Sequence, residues 1–228
     1  MRTITRYPVK SMAGEDLDTV ELDARGLVGD RVLAVRTADG RFGSGKDTRR
    51  FRRVAGLRHA RAVLGDDGRV SIELPDGTSV TDGGAGTDAA LTAWLGQPVE
   101  LVTEGAVSHF DEDGLHLLTT ASLRAVADRT GVVVDVRRAR ANVVLDAPRA
   151  GFVEDGWLGA RFRVGTAVVA VSTPMPRCDM VNQIGLDLPD GRGVLRGIGD
   201  AHAGELGVVA SVITRGRISV GDPLVRIT

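Results

Sequence analysis

Residues 167–183 read AVVAVSTPMPRCDMVNQ. The valine-rich first six read as a strand. Pro174 and Pro176 fix φ at two positions and remove two backbone donors, so the strand is expected to stop before them. Cys178, the only cysteine in the chain, then lies on a stiffened loop just past a strand end, where scaffolds commonly carry reactive groups. Arg177 beside it supplies a positive charge that favours thiolate over thiol wherever the two side chains converge. A lone cysteine also has an ordinary reading as a small buried hydrophobe. The rest of the chain must choose between the two.

Working outward, ARFRVG (160–165), GELGVVASVIT (204–214), RISVGDPLVRI (217–227), LHLLT (115–119) and RANVVLD (140–146) read as further strands. Upstream, RTITRYPV, LDTVELDA, RVLAVRT, LRHARAVL, RVSIEL, TSVT and PVELVTE follow the same pattern. The Asp-Gly turns ADGR (38–41), DDGR (66–69) and PDGT (75–78) mark hairpins, so the first third is expected to form one meandering antiparallel sheet. Three segments read as helices: GTDAALTAWLG (86–96) with Thr87 or Asp88 as its N-cap, TASLRAVADRTG (120–131), and VLRGIGDAH (194–202). The fold class is mainly β with a few helices (α+β), a β-barrel or sandwich-like core with helical decoration. The acidic, unpatterned EGAVSHFDEDG (104–114) marks a boundary between a β-rich domain over 1–103 and a second domain over 104–228.

Composition excludes several function classes. The chain has 228 residues, 43% hydrophobic, enough for one large core or two smaller ones. No apolar stretch is long enough to span a membrane, and MRTITRYPVKS lacks the apolar run of a secretory signal, so a cytoplasmic location is expected. A single cysteine precludes an intramolecular disulfide, a zinc–thiolate site and an iron–sulfur cluster. With 29 basic and 30 acidic residues the net charge is −1, which offers no general attraction for nucleic acid. The local exception is TRRFRRVAGLRHAR (48–61), six arginines without a carboxylate. It reads as a solvated basic face, with a local anion site as the alternative. Lys10 and Lys46 are the only lysines, and a compact ammonium is not interchangeable with a guanidinium.

Several short motifs carry chemistry of unequal weight. GRFGSGKD (40–47) approaches a phosphate-binding P-loop, but Asp47 stands where Ser or Thr must hold magnesium, and no helical pattern follows. A Cys–His pair has four histidines to draw on: His59, His109, His116 and His202. His116 has the ordinary reading of a satisfied core histidine. The hydroxyl-rich TTAS (119–122) caps a helix and can also receive an anion. Lys10-Ser11, RRAR (137–140) and the Arg177-Cys178 loop add cations and a thiolate, a combination suited to a polyanionic ligand with a thiolate-binding centre.

In order, YPVKS, GLVGDR with VLAV, LHLLTTASL, RRARANVVL, PRC and ELGVVASVITRGRISVGDPL resemble the MOSC family, named for the C-terminal domain of molybdenum-cofactor sulfurase. The resemblance covers nearly the whole chain, including a β-rich N-terminal companion domain. It implies a pterin-based molybdenum cofactor with Cys178 as ligand to the metal. Lys10 and Ser11 match the residues expected at the cofactor's phosphate end, and Arg31 matches the arginine of an Asp-Arg motif. Thr120 and Ser122 match the polar helix start, although the reductases often have Asp at the position of Thr120. Arg140 and Asn142 match an Arg-x-Asn motif in which Ala141 replaces the usual proline. Arg177 precedes the cysteine as in the family, and Lys46 falls near a family basic position. After the cysteine, DMVNQ replaces a Thr-Thr-Val-Asp-type run, and Asp179 is expected to bring a carboxylate near the metal's open face.

Relatives include the mitochondrial amidoxime-reducing component and bacterial proteins that reduce N-hydroxylated compounds. The resemblance therefore implies a molybdenum oxidoreductase acting on N-hydroxylated or N-oxide small molecules, with electrons from a separate protein, no nucleic acid and no membrane. Met12, Met175 and Met180 are expected either to line an apolar pocket or to pack in the core. The alternative is a cofactor carrier or a sulfur-transfer protein holding persulfide on Cys178. A metal-free small-molecule binder is a third reading.

Overall fold

The computed structural model describes residues 1–149 and 151–228. The N-terminal part contains β1 (Thr3–Arg6), β2 (Glu15–Leu17), β3 (Thr19–Asp23), β4 (Gly26–Leu27), β5 (Leu33–Thr37), β6 (Phe42–Ser44) and β7 (Phe51–Arg53). It continues through β8 (Arg61–Leu64), β9 (Val70–Glu73), β10 (Ser79–Thr81), α1 (Thr87–Leu95) and β11 (Val99–Thr103). The remainder begins with β12 (Leu115–Thr119), α2 (Thr120–Thr130), α3 (Val136–Ala139), β13 (Val143–Leu145), β14 (Arg161–Val164) and β15 (Ala167–Pro176). It closes with α4 (Val194–His202), β16 (Glu205–Thr214), β17 (Gly216–Ser219) and β18 (Leu224–Arg226). The class is mainly β with a few helices, as the alternation of short strand signals and turns indicates.

All three Asp-Gly turns close hairpins. Gly40, Gly68 and Gly77 take φ near 80° at the turns, a conformation that glycine enters without a Cβ penalty. They join β5 to β6, β8 to β9 and β9 to β10. The first third is nevertheless not one meander. Only β8, β9 and β10 form such a sheet, while β5 lies between β11 and β6, with β7 running parallel to β6. β1 and β2 instead join an eight-stranded sheet of order β18-β14-β15-β16-β12-β13-β1-β2, and β3 pairs with β17. The reason is burial: Ile4, Leu22 and Leu27 belong to the same apolar core as Leu117, Val169, Val208 and Ile218. A separate core gathers Val9, Val35, Leu57, Ile72, Leu91 and Val99 beneath α1 and the N-terminal sheets.

The prolines do not end the strand. β15 runs through both to Pro176 and stays paired with β16, with Pro174 opposite Val208 and Pro176 opposite Glu205. Its other neighbour, β14, pairs only with Ala167–Ala170. Gly159 and Ala160 extend this contact to Val171; beyond it β14 offers no partner, and irregular register at 171–176 absorbs the missing donors, as expected for proline at an edge or bulge. After Arg177, Cys178 takes the N-cap position of a single 3₁₀ turn over Asp179–Asn182, without a side-chain capping bond.

Helix ends refine the picture further. α1 starts after Gly86 in the left-handed conformation, with neither Thr87 nor Asp88 as its cap. Thr87 donates to Thr81 O, and Asp88 accepts from Leu101 N. α4 spans the predicted residues and buries Val194, Gly197, Ile198 and Ala201, an i, i+3, i+4, i+7 stripe. α2 is capped by Thr119, whose Oγ1 accepts from Ser122 N.

Glu154 organises that cap. Its buried carboxylate accepts from Thr119 N (2.7 Å), Thr119 Oγ1 (2.9 Å) and Ser122 Oγ. Glu154→Ala strands these donors in an apolar setting, so unfolding stability should fall by about 3 kcal/mol. Urea denaturation measures this directly. A loss below about 1 kcal/mol would show that the network contributes little.

Candidate functional site

Eight of the ten residues that the family resemblance assigns to the cofactor site line one cleft: Lys10, Ser11, Arg31, Lys46, Arg140, Asn142, Arg177 and Cys178. They come from five separate segments, which the eight-stranded sheet and the β5–β7 strands bring together. Thr120 and Ser122 are not among the lining residues. Thr120 Oγ1 accepts from Ala147 N, and Ser122 belongs to the Glu154 network, so hydroxyls at this helix start serve its local structure.

Backbone geometry aims three of the eight. Ser11 (φ 67°), Arg31 (φ 53°) and Arg140 (φ 52°) lie in the left-handed region. They are three of the five non-glycine residues found there among the described residues. That conformation costs energy for a residue with a Cβ and concentrates at sites where the side chain must be held in one place. Asp30 secures the arrangement: its buried carboxylate accepts from Tyr7 N (2.7 Å) and Asn142 Nδ2 (3.0 Å) and pairs with Arg31. Arg140 packs its guanidinium over the Tyr7 ring at 4.1 Å and donates to Met12 O.

Positive charge dominates the cleft. Lys10 is buried, lies 3.9 Å over the Phe51 ring and contacts Asp111 at 2.7 Å. Lys46 reaches the same carboxylate at 2.6 Å, so both lysines of the chain meet on one aspartate. Burial pushes Lys10 down to about 8 against the opposing pull of Asp111. Burial also raises Asp111, but the two ammonium groups outweigh it and hold the carboxyl at about 2. Burial lowers Arg140 to about 9 and Arg177 to about 10. Arg177 donates to Ala139 O at 2.7 Å, yet its Nε has no partner, and neither does Nη2 of Arg140. Unpaired buried donors on cations are costly, and an anion in the cleft would satisfy them.

Cys178 is half-buried within this cationic wall. His116 shares the cleft, but no hydrogen bond joins it to Cys178 among the described residues. It is buried, with burial pushing its pKa well down, and its Nε2 contacts Leu206 O at 3.1 Å. Gly207 (φ 83°) leaves room for that ring, since a Cβ there would come within 2.5 Å of Nε2. His109 contacts Arg31 O, and His202 stacks on Phe152 and pairs with Asp155. Met175 and Met180 line the cleft, whereas Met12 is core. Asp179 is absent from the lining. Its carboxylate accepts from Asn182 and faces Arg53 at 3.5 Å. The P-loop-like segment runs through β6 into a turn, and no helix follows Lys46 before β7.

Sequence reasoning missed Asp30 and Asp111. Asp30 had a signal, standing directly before Arg31 in the Asp-Arg motif. Asp111 sat in an unpatterned acidic loop whose lysine partners are distant in sequence.

Among the described residues no group of three or more His, Cys, Asp or Glu side chains converges to hold a bare metal ion. A metal at Cys178 must therefore arrive carrying ligands of its own. A phosphate-bearing, pterin-based molybdenum cofactor fits the donor set: a thiol for the metal, and orphaned guanidinium nitrogens with two ammonium groups for the anionic end.

The comparisons agree with this architecture. The MOSC domain model matches residues 104–225, and the MOSC N-terminal beta barrel domain model matches residues 1–110. The chain belongs to the MOSC family, which is associated with molybdenum-cofactor-binding proteins. Among solved structures it is similar to the YuaD protein from Bacillus subtilis, at 14% identity over 97% of this chain and 91% of that one, with a TM-score of 0.50. It is also similar to YiiM from Geobacillus stearothermophilus, at 23% identity over 50% of this chain and 54% of that one, with a TM-score of 0.39. The chain thus spans about half the length of that YiiM. No curated protein sequence matches it. Among the described residues no helix is long and apolar enough to cross a membrane.

The low pKa of Lys10 makes anion binding pH-dependent. Lys10 is charged below about pH 8 and neutral above it, so sulfate affinity should fall as pH rises from about 7 to about 9. Lys10→Met should bind sulfate about tenfold more weakly at about pH 7 and lose most of the pH dependence. Calorimetric titration checks both. A wild-type affinity that is flat across this range would contradict the assignment of Lys10.

Proposed function

We propose that the chain binds the molybdenum cofactor through Cys178 and reduces N-hydroxylated or N-oxide small molecules with electrons from a separate donor protein. The observation that carries this reading is the chain's only thiol set among buried cations with unpartnered nitrogens. The cofactor supplies two-electron oxygen-atom transfer, which side chains alone lack. The net reaction is R2N–OH plus two electrons and two protons giving R2NH and water.

The chain's own residues hold and shape. Lys10 and Lys46 grip the phosphate end, so Asp111 must share or yield its two ammonium partners. Cys178 offers Sγ to the metal from a backbone fixed by the adjacent turn. Arg177, anchored on Ala139 O, presents its free Nε to anionic groups beside that sulfur. Met175 and Met180 give the opening an adaptable apolar wall suited to varied substrates. Asp179, tied to Arg53 and Asn182, leaves the cleft free of a third carboxylate beside Asp111 and Glu112.

The test uses protein made in a cofactor-competent host, with benzamidoxime as substrate and reduced methyl viologen as electron source. Wild type should turn over, and Cys178→Ser should lose at least about 100-fold of that activity. Undiminished turnover by Cys178→Ser would overturn the ligand assignment. Absence of turnover together with a persulfide on Cys178 by mass spectrometry would favour sulfur transfer.

A further inference from the structure

A second cavity, of about 160 Å³, is lined in part by the stacked Arg140–Tyr7 pair. Its charged lining consists of Arg58, Arg61, Arg137, Arg140 and one carboxylate, Asp16. Asp16 accepts from Thr5 Oγ1 at 2.7 Å, and Arg137 is paired with Asp135. Arg58, Arg61 and Arg140 have no carboxylate partner among the described residues. Arg58 and Arg140 are nevertheless buried, at 6% and 9% exposure. Arg58 donates a single side-chain bond, from Nη1 to Met180 O, and Arg140 donates one, from Nη1 to Met12 O.

Buried charges in folded proteins are paired, because an uncompensated one loses its hydration without return. Two buried guanidinium groups without a carboxylate, with the exposed Arg61 beside them on one cavity, therefore describe a place for an anion, and their planar forks match a carboxylate. Apart from Thr3 and Thr5, the remaining wall is mainly apolar, with Val136, Ala141, Val144, Leu186 and Leu188, and Tyr7 lies under the Arg140 guanidinium. We propose that this cavity binds a small organic carboxylate with an apolar body, its charged end on Arg58, Arg61 and Arg140 and its tail against Val144 and Leu188. Arg58 and Arg61 come from the six-arginine run, so part of that run serves a built site and not only a solvated face. Arg58 and Arg61 line this cavity and not the Cys178 cleft, whereas Arg140 lines both.

The test titrates the full-length protein with benzoate and with uncharged benzamide, followed by amide chemical shifts. Benzoate should move the amides of Thr5, Val144 and Leu188, while benzamide should bind at least about tenfold more weakly. Arg61 is exposed, so Arg61→Gln should fold normally and weaken benzoate about tenfold. Lys10→Met, in the first cleft, should leave benzoate affinity within about twofold. Equal binding of benzoate and benzamide would overturn the proposal, and so would unchanged benzoate affinity in Arg61→Gln. Loss of benzoate binding in Lys10→Met alone would place the anion in the Cys178 cleft and overturn it as well.

Discussion

The carboxylate of Asp30 is the joint on which the cleft depends. It is 1% exposed and binds the backbone before Lys10, the side chain of Asn142 and the guanidinium of Arg31. Those groups belong to three segments that the chain keeps far apart: YPVKS, GLVGDR and RRARANVVL. A buried carboxylate is tolerated in this position because these three groups donate to it. Around that joint, Ser11, Arg31 and Arg140 take left-handed conformations and line one space. Their backbone cost is met by the surrounding packing, which is what makes the cleft preorganised before any ligand arrives.

The two cavities share a logic and a residue. In each, guanidinium groups are buried beyond the supply of carboxylates, and Arg140 lines both. The first adds the only thiol and two ammonium groups, which suits a metal-bearing polyanion. The second adds aliphatic side chains, which suits a smaller anion with a hydrocarbon body. Net charge conceals all of this, because it averages over a surface where most arginines are paired or solvated.

Local signals were the most legible. The Asp-Gly hairpins, the α4 stripe and the loop position of Cys178 each follow from a few neighbouring residues. Pairing between distant segments was not legible. Nothing near Ile4 or Val20 announces that β1 and β3 leave the N-terminal sheets for partners more than a hundred residues away. The prolines of β15 misled because their effect depends on whether a strand has one neighbour or two, a fact held by β14. In the cleft, side chains placed by short motifs converge, while Asp111 is recognisable only through its ion pairs with Lys10 and Lys46. The TTAS hydroxyls suit capping and anion binding alike, and only the positions of Glu154 and Ala147 show that they are already engaged.

The central claim is that Cys178 supplies sulfur to a metal held in the cationic cleft. The most direct measurement is X-ray absorption at the molybdenum edge, on protein and on Cys178→Ser purified from a cofactor-competent host. The account predicts one sulfur more around molybdenum in the wild type than in the variant. An identical sulfur shell in both proteins, or wild type devoid of molybdenum, would contradict it.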